Sequence, residues 1–168
     1  MEDWNTKLIA AAKEGSVEDL KICIENGADI DYKNVRGDTA LMLAGEGGHL
    51  EVTQLLLDIG CNKDASNVRG DTALMIAAMS GHLEITQLFL DSGCDKEATT
   101  AGGYTPLMIA AMSGHLEVTR LLLDSGCNKE ATEDRGVTAL MWAAKEGHLE
   151  VTQLLLNRGC YKEATGVC

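Results

Sequence analysis

Two sets of chemically capable side chains recur at a fixed interval along the 168-residue chain. Cys61, Cys94, Cys127 and Cys160 stand 33 residues apart, and so do His49, His82, His115 and His148. Two positions after each histidine comes a glutamate: Glu51, Glu84, Glu117 and Glu150. Thiols, imidazoles and carboxylates in series are the material of a zinc site, a disulfide ladder or an acid–base pair. The interval argues against the first two, and repetition at one structural place argues against the third. Equivalent positions on stacked helices lie about 8–10 Å apart. A disulfide needs Cα atoms within about 7 Å, and zinc needs sulfurs converging at about 2.3 Å from one ion. The cysteines therefore read as small, partly buried thiols. The histidines read as turn residues, and the glutamates as first-turn residues that suit a helix dipole. No nucleophile has a private base, and "LAGEGGH" lacks the Lys-Ser/Thr of a phosphate-binding loop. No catalytic, cofactor or metal site is expected.

The same interval governs the whole chain. Thr39, Thr72, Thr105 and Thr138 open the segments "TALMLAGEGGH", "TALMIAAMSGH", "TPLMIAAMSGH" and "TALMWAAKEGH". A threonine hydroxyl accepts a hydrogen bond from a free first-turn N–H, which makes it a good N-cap. Pro106 falls at a first helical position, where its missing N–H costs nothing. Glycine before each histidine stops the helix by adopting the left-handed conformation. A second helix follows, such as "LEVTRLLLDSG", and then a loop with turn chemistry around Asp134–Gly136. Leu116, Val118, Leu121, Leu122 and Leu123 spread around that second helix, as suits one packed between neighbouring copies.

The pattern G-x-T-[AP]-L-M-x-A-A-x-x-G-H-L-E-V-x-x-L-L-L-x-x-G resembles the ankyrin repeat over nearly the whole chain. The resemblance implies an all-α fold: an ankyrin-repeat α-solenoid of stacked helix-turn-helix units with short β-hairpin fingers at one edge. It implies one domain over 1–168, with an N-terminal capping repeat at 1–33. Full repeats follow at 34–66, 67–99, 100–132 and 133–165, with a tail at 166–168. Met42, Met75, Met108 and Met141 stand where the family has a histidine that knits neighbouring units by hydrogen bonds. Methionine cannot supply those donors.

At the start, Asp19 replaces the apolar Val52, Ile85, Val118 and Val151, as expected of a polar capping face. Trp4 is placed before the first cap helix. In the last unit Val151, Leu154, Leu155 and Leu156 carry no charged replacement. The outer face of that helix is therefore expected to be uncapped, with a monomer or a weak end-to-end dimer as the result. Gly45 stands where other units have Ala78, Ala111 and Ala144. A mid-helix glycine costs about 0.5–1 kcal/mol relative to alanine, so Gly45→Ala is expected to stabilise the array. Trp142 aligns with Leu43, Ile76 and Ile109 and reads as core. Cys168 is the thiol expected to be exposed.

Residues are 45% hydrophobic and 24% charged, and the net charge is −12. That balance disfavours nucleic acid, whose binding requires clustered Lys and Arg, and an anionic membrane surface. The acidic head and short apolar run of the first segment form neither signal peptide nor membrane span. Free thiols then point to a reducing, cytoplasmic setting.

Positions fixed in every unit serve stacking, so recognition is sought where outward positions vary. At the ends of the first helices these are Glu46 and Gly47, Met79 and Ser80, Met112 and Ser113, and Lys145 and Glu146. At the finger turns they are Arg36 and Asp38, Arg69 and Asp71, Gly102 and Tyr104, and Arg135 and Val137. The resemblance places both sets on a concave, protein-binding face. The candidate partner-binding residues are Arg36, Asp38, Arg69, Asp71, Met79, Ser80, Tyr104, Met112, Ser113, Arg135, Lys145 and Glu146. Met79, Met112 and Tyr104 form an expected apolar centre flanked by arginine and lysine, a composition typical of interface hot spots. The function implied is non-enzymatic recognition of a protein or peptide. Two alternatives stay open: an excerpt of a longer ankyrin scaffold, and an engineered, consensus-like scaffold with no natural ligand.

Overall fold

The computed structural model describes residues 3–160. Cys168 and the end of the last unit, 161–168, lie outside the described residues. The first helices of the units are α1 (Trp4–Glu14), α3 (Ala40–Gly47), α5 (Ala73–Ser80), α7 (Pro106–Ser113) and α9 (Ala139–Lys145). The second helices are α2 (Val17–Glu25), α4 (Leu50–Ile59), α6 (Leu83–Asp91), α8 (Leu116–Asp124) and α10 (Leu149–Asn157). Each first helix forms a hairpin with its second helix. First helices stack on first helices and second on second, giving two parallel layers.

The caps are those the sequence calls for. Thr39, Thr72, Thr105 and Thr138 each accept a bond from the backbone N–H three residues on. The first helices are apolar nearly all round because both flanks are covered. Ala44, Ala77, Ala110 and Ala143 are fully buried, and their small side chains let the backbones approach. Leu56, Phe89, Leu122 and Leu155 form the spine between the layers, each with no exposed surface. Burying a side chain of this size stabilises the fold by about 1.5–3 kcal/mol.

Several expectations change here. Trp4 is the first residue of α1, capped by Asp3, and its ring lies under Lys7 Nζ at 4.5 Å. Leu155 faces the core rather than outward, and Val151 is likewise buried. The apolar surface of the last helix consists instead of Leu149, 80% exposed, and Leu156. Gly45 leaves no gap: an added Cβ would lie 3.3 Å from Phe89 Cε2. Phe89 replaces the leucine of the other units, and its larger ring fills the missing methyl's space.

The fingers are closed by side chains more than by strand pairing. Among the described residues the only bridge outside the helices is Ser66–Thr72. Asn67 Oδ1 accepts from the N–H groups of Arg69 and Asp71, and Thr100 Oγ1 plays the same part for Gly102 and Tyr104. Neighbouring fingers are then pinned by single backbone bonds, from Val68 N to Arg36 O, Ala101 N to Arg69 O and Asp134 N to Gly102 O.

The units are knitted by histidines, but not at the position the methionines occupy. Nε2 of His49, His82, His115 and His148 donates to the carbonyls of Lys13, Glu46, Met79 and Met112 in the preceding unit, at 2.8–2.9 Å. Those carbonyls belong to last turns of first helices, where helical partners run out. Each ring also lies over the glycine that ends that helix. At Gly48, with φ +75°, a Cβ would meet His82 at 2.9 Å. Only glycine fits there, both for its backbone angle and for its bareness. The methionines serve locally: Thr39 N–H and Thr72 N–H donate to Met42 Sδ and Met75 Sδ.

Candidate functional site

The finger turns and the ends of the first helices form the two walls of a groove. Its first centre is a cavity of about 140 Å³ between the first two fingers and helices α3 and α5. Arg36, Asp38, Val68 and Arg69 line it from the fingers, and Leu43, Glu46, Ile76 and Met79 from the helices. Met79 is 41% exposed and Val68 74%. Each arginine is held by the acid two residues on: Arg36 by Asp38 at 3.0 Å and Arg69 by Asp71 at 2.8 Å. Asp38 is buried and also accepts from Asn67 Nδ2 at 3.0 Å. It therefore braces one finger on the next and aims Arg36, rather than offering its own carboxylate.

The second centre surrounds Trp142. The indole is buried, yet it is buried by groove residues rather than by the core alone. Tyr104 packs on it with ring centroids 5.7 Å apart and planes tilted by 45°. Lys145 Nζ lies 4.3 Å from the ring centroid and the Arg135 guanidinium 5.6 Å. Cations over an indole face gain about 0.5–1 kcal/mol each at exposed sites. Arg135 Nη2 donates to Tyr104 Oη at 3.2 Å, and its Nε lies 3.4 Å from the buried Glu133 carboxylate. Burial pushes the Glu133 carboxyl upward. Hydrogen bonds from the backbone N–H groups of Arg135 and Val137 and from the Arg135 guanidinium outweigh it, so the carboxyl sits below its ordinary value.

The candidate residues are thus divided between two centres. Arg36, Asp38, Arg69, Asp71 and Met79 belong to the first, and Tyr104, Arg135 and Lys145 to the second. Tyr104 does not line the cavity of Met79. Met112, Ser80 and Ser113 are half-buried at helix ends, and Glu146 is exposed just past α9. Composition alone gave no sign of the fully exposed Val35 and of Val68 at the finger tips. The "NVRG" turns carry the signal, since a tip residue has no core to reach. A second set of lysines also went unread: Lys63, Lys96 and Lys129 Nζ donate to the carbonyls of Ser92, Ser125 and Arg158, where the next unit's second helix ends.

The thiols are free among the described residues, and burial raises the pKa of each. Cys61 is pushed up to about 11 and Cys94 to about 12. Such thiols are poor nucleophiles. No group of three or more His, Cys, Asp or Glu able to hold a metal occurs among the described residues. No helix there is long and apolar enough to cross a membrane.

Residues 8–100 and 92–165 match the family model described as ankyrin repeats in three copies. No curated protein matches the chain.

Proposed function

The chain belongs to the ankyrin-repeat family, whose repeats are generally protein–protein interaction modules, and from that premise we propose that the groove face binds a protein or peptide segment. The capping repeat and the four repeats after it would support that face through their stacked hairpins. The observation that carries the reading is the first centre: Met79 and Val68, both exposed, share one cavity with Arg36 and Arg69. Exposed apolar side chains beside braced arginines match the composition of binding hot spots. Bracing matters because an arginine already held by Asp38 or Asp71 loses little conformational freedom on binding. The reading is non-enzymatic, since the repeated histidines are occupied by bonds between units and the repeated glutamates stand in the first turns of second helices, where they suit the dipole. Buried free thiols favour a reducing, cytoplasmic setting, and the net charge of −12 disfavours nucleic acid and anionic membrane as partners.

Selection of a random peptide library on the protein tests this. Selected peptides are expected to lose at least about tenfold in affinity with Met79→Glu or Arg69→Glu. They should bind normally to Glu84→Lys, a change on the exposed side of α6. Sensitivity at Glu84 with indifference at Met79 and Arg69 refutes the groove reading.

A second reading, self-association through the last helix, is favoured by one observation: Leu149 is 80% exposed and Leu156 45%.

A further inference from the structure

The second centre has a composition that a generic binding face does not explain. Three units place a purely apolar residue at the groove floor, Leu43, Ile76 or Ile109; the fourth places Trp142. An indole adds one polar atom, and buried tryptophan N–H groups ordinarily find an acceptor. Here Trp142 Nε1 is buried with no hydrogen-bond partner among the described residues. The side chains that cover the indole are themselves donors. Lys145 and Arg135 have no acceptor to offer. Tyr104 Oη already accepts from Arg135, which leaves its own proton free to donate. Glu133 compensates Arg135, but no carboxylate among the described residues lies within ion-pair distance of Lys145. The cluster is a set of convergent donors with one uncompensated positive charge, in a protein whose net charge is −12.

We infer that the Trp142 cluster receives a carboxylate, carried by an acidic side chain of the partner segment that lies in the groove. This rests on the groove reading above and goes beyond it by specifying the chemistry at one position. A single carboxylate supplies acceptors only, as the donors require, and its one charge matches that of Lys145. Lys145 stands on the helix wall of the groove and Arg135 on the finger wall, and both reach the indole. A segment running along the groove presents a side chain, rather than its own end, to the indole. Lys145 and Arg135 are both exposed. They are free to turn from the ring face toward an incoming oxygen.

The experiment uses the full chain carrying Trp4→Phe, which leaves Trp142 as the one fluorophore of its kind. The probes are blocked alanine pentapeptides with glutamate, glutamine or phosphoserine at the centre, and the glutamine peptide with a free C-terminal carboxylate. The glutamate peptide is expected to change the emission saturably, and the blocked glutamine peptide to bind at least about tenfold more weakly. Lys145→Glu and Arg135→Gly should each weaken the glutamate peptide about tenfold. Both substitutions take the residue found at the equivalent place in another unit, Glu46 and Gly102, and unchanged circular dichroism verifies the fold. Equal titration by glutamate and glutamine peptides overturns the inference, as does binding that ignores Lys145→Glu. Preference for the free C-terminus overturns the side-chain source, and preference for phosphoserine overturns the single charge. If library-selected peptides lack acidic residues but still depend on Met79 and Arg69, the groove reading stands and the carboxylate inference falls. If they depend on neither, both fall.

Discussion

Replacing Gly45 by alanine is, by helix propensity, a stabilising change worth about 0.5–1 kcal/mol. The structure sets a packing cost against that gain. The new methyl would sit 3.3 Å from Phe89 Cε2 and 3.4 Å from Cζ, inside the 3.5–4.0 Å optimum for carbon contacts. Phe89 has no exposed surface, so its ring cannot retreat into solvent. Forcing an extra methyl into such a core typically costs about 1–3 kcal/mol. Gly45→Ala should therefore lower stability by up to about 2.5 kcal/mol once its helix gain is deducted. Phe89→Leu alone leaves unfilled volume and should cost about 1–2 kcal/mol. In the double variant the pair becomes alanine over leucine, as Ala78 over Leu122 already is in the next unit. There the alanine change should turn favourable by about 0.5–1 kcal/mol. The two sites are thus expected to couple by about 1–3 kcal/mol. Urea denaturation of the four proteins, followed by far-ultraviolet circular dichroism, measures this from the midpoints at constant m. Additive effects, with coupling under about 0.5 kcal/mol, refute the claim that Phe89 occupies the space glycine vacates.

Two other predictions concern the joints between units. His82→Ala removes the bond to Glu46 O and should cost about 0.5–1.5 kcal/mol, with hydrogen exchange accelerated at the α3 end and not in α9; uniform acceleration would refute a local joint. Leu149→Lys should abolish any rise of light-scattering mass with protein concentration under reducing conditions, whereas a rise that survives it places association elsewhere.

The hairpins were legible because their determinants are local. Threonine caps, terminal glycines and the apolar spread of the second helices each act within a few residues. What escaped the sequence depends on side chains from different units meeting. Gly45 looks like a defect until Phe89 is set against it. Leu155 belongs to the same run as Leu156, and only the helix's angular placement sends one into the core and the other to solvent. Trp142 aligned with core residues and is indeed buried, but Tyr104, Arg135 and Lys145 help bury it, and alignment cannot tell a floor from a core. The histidines read as turn residues because their neighbours are glycines; their longer role lies in a carbonyl 36 positions earlier.

Those histidine bonds all point the same way along the chain. Each ring reaches back to a carbonyl made before it, and each seals a glycine already in place. During synthesis at about 5–20 residues per second, a unit of this length leaves the ribosome in roughly 2–7 s. Helical hairpins with local contacts fold in microseconds to milliseconds. A newly emerged hairpin thus meets a finished predecessor whose histidine acceptor is waiting, while its own loop lysine waits for a carbonyl of the unit to come. Growth of the array is accretion onto a template, with each hairpin serving first as guest and then as host.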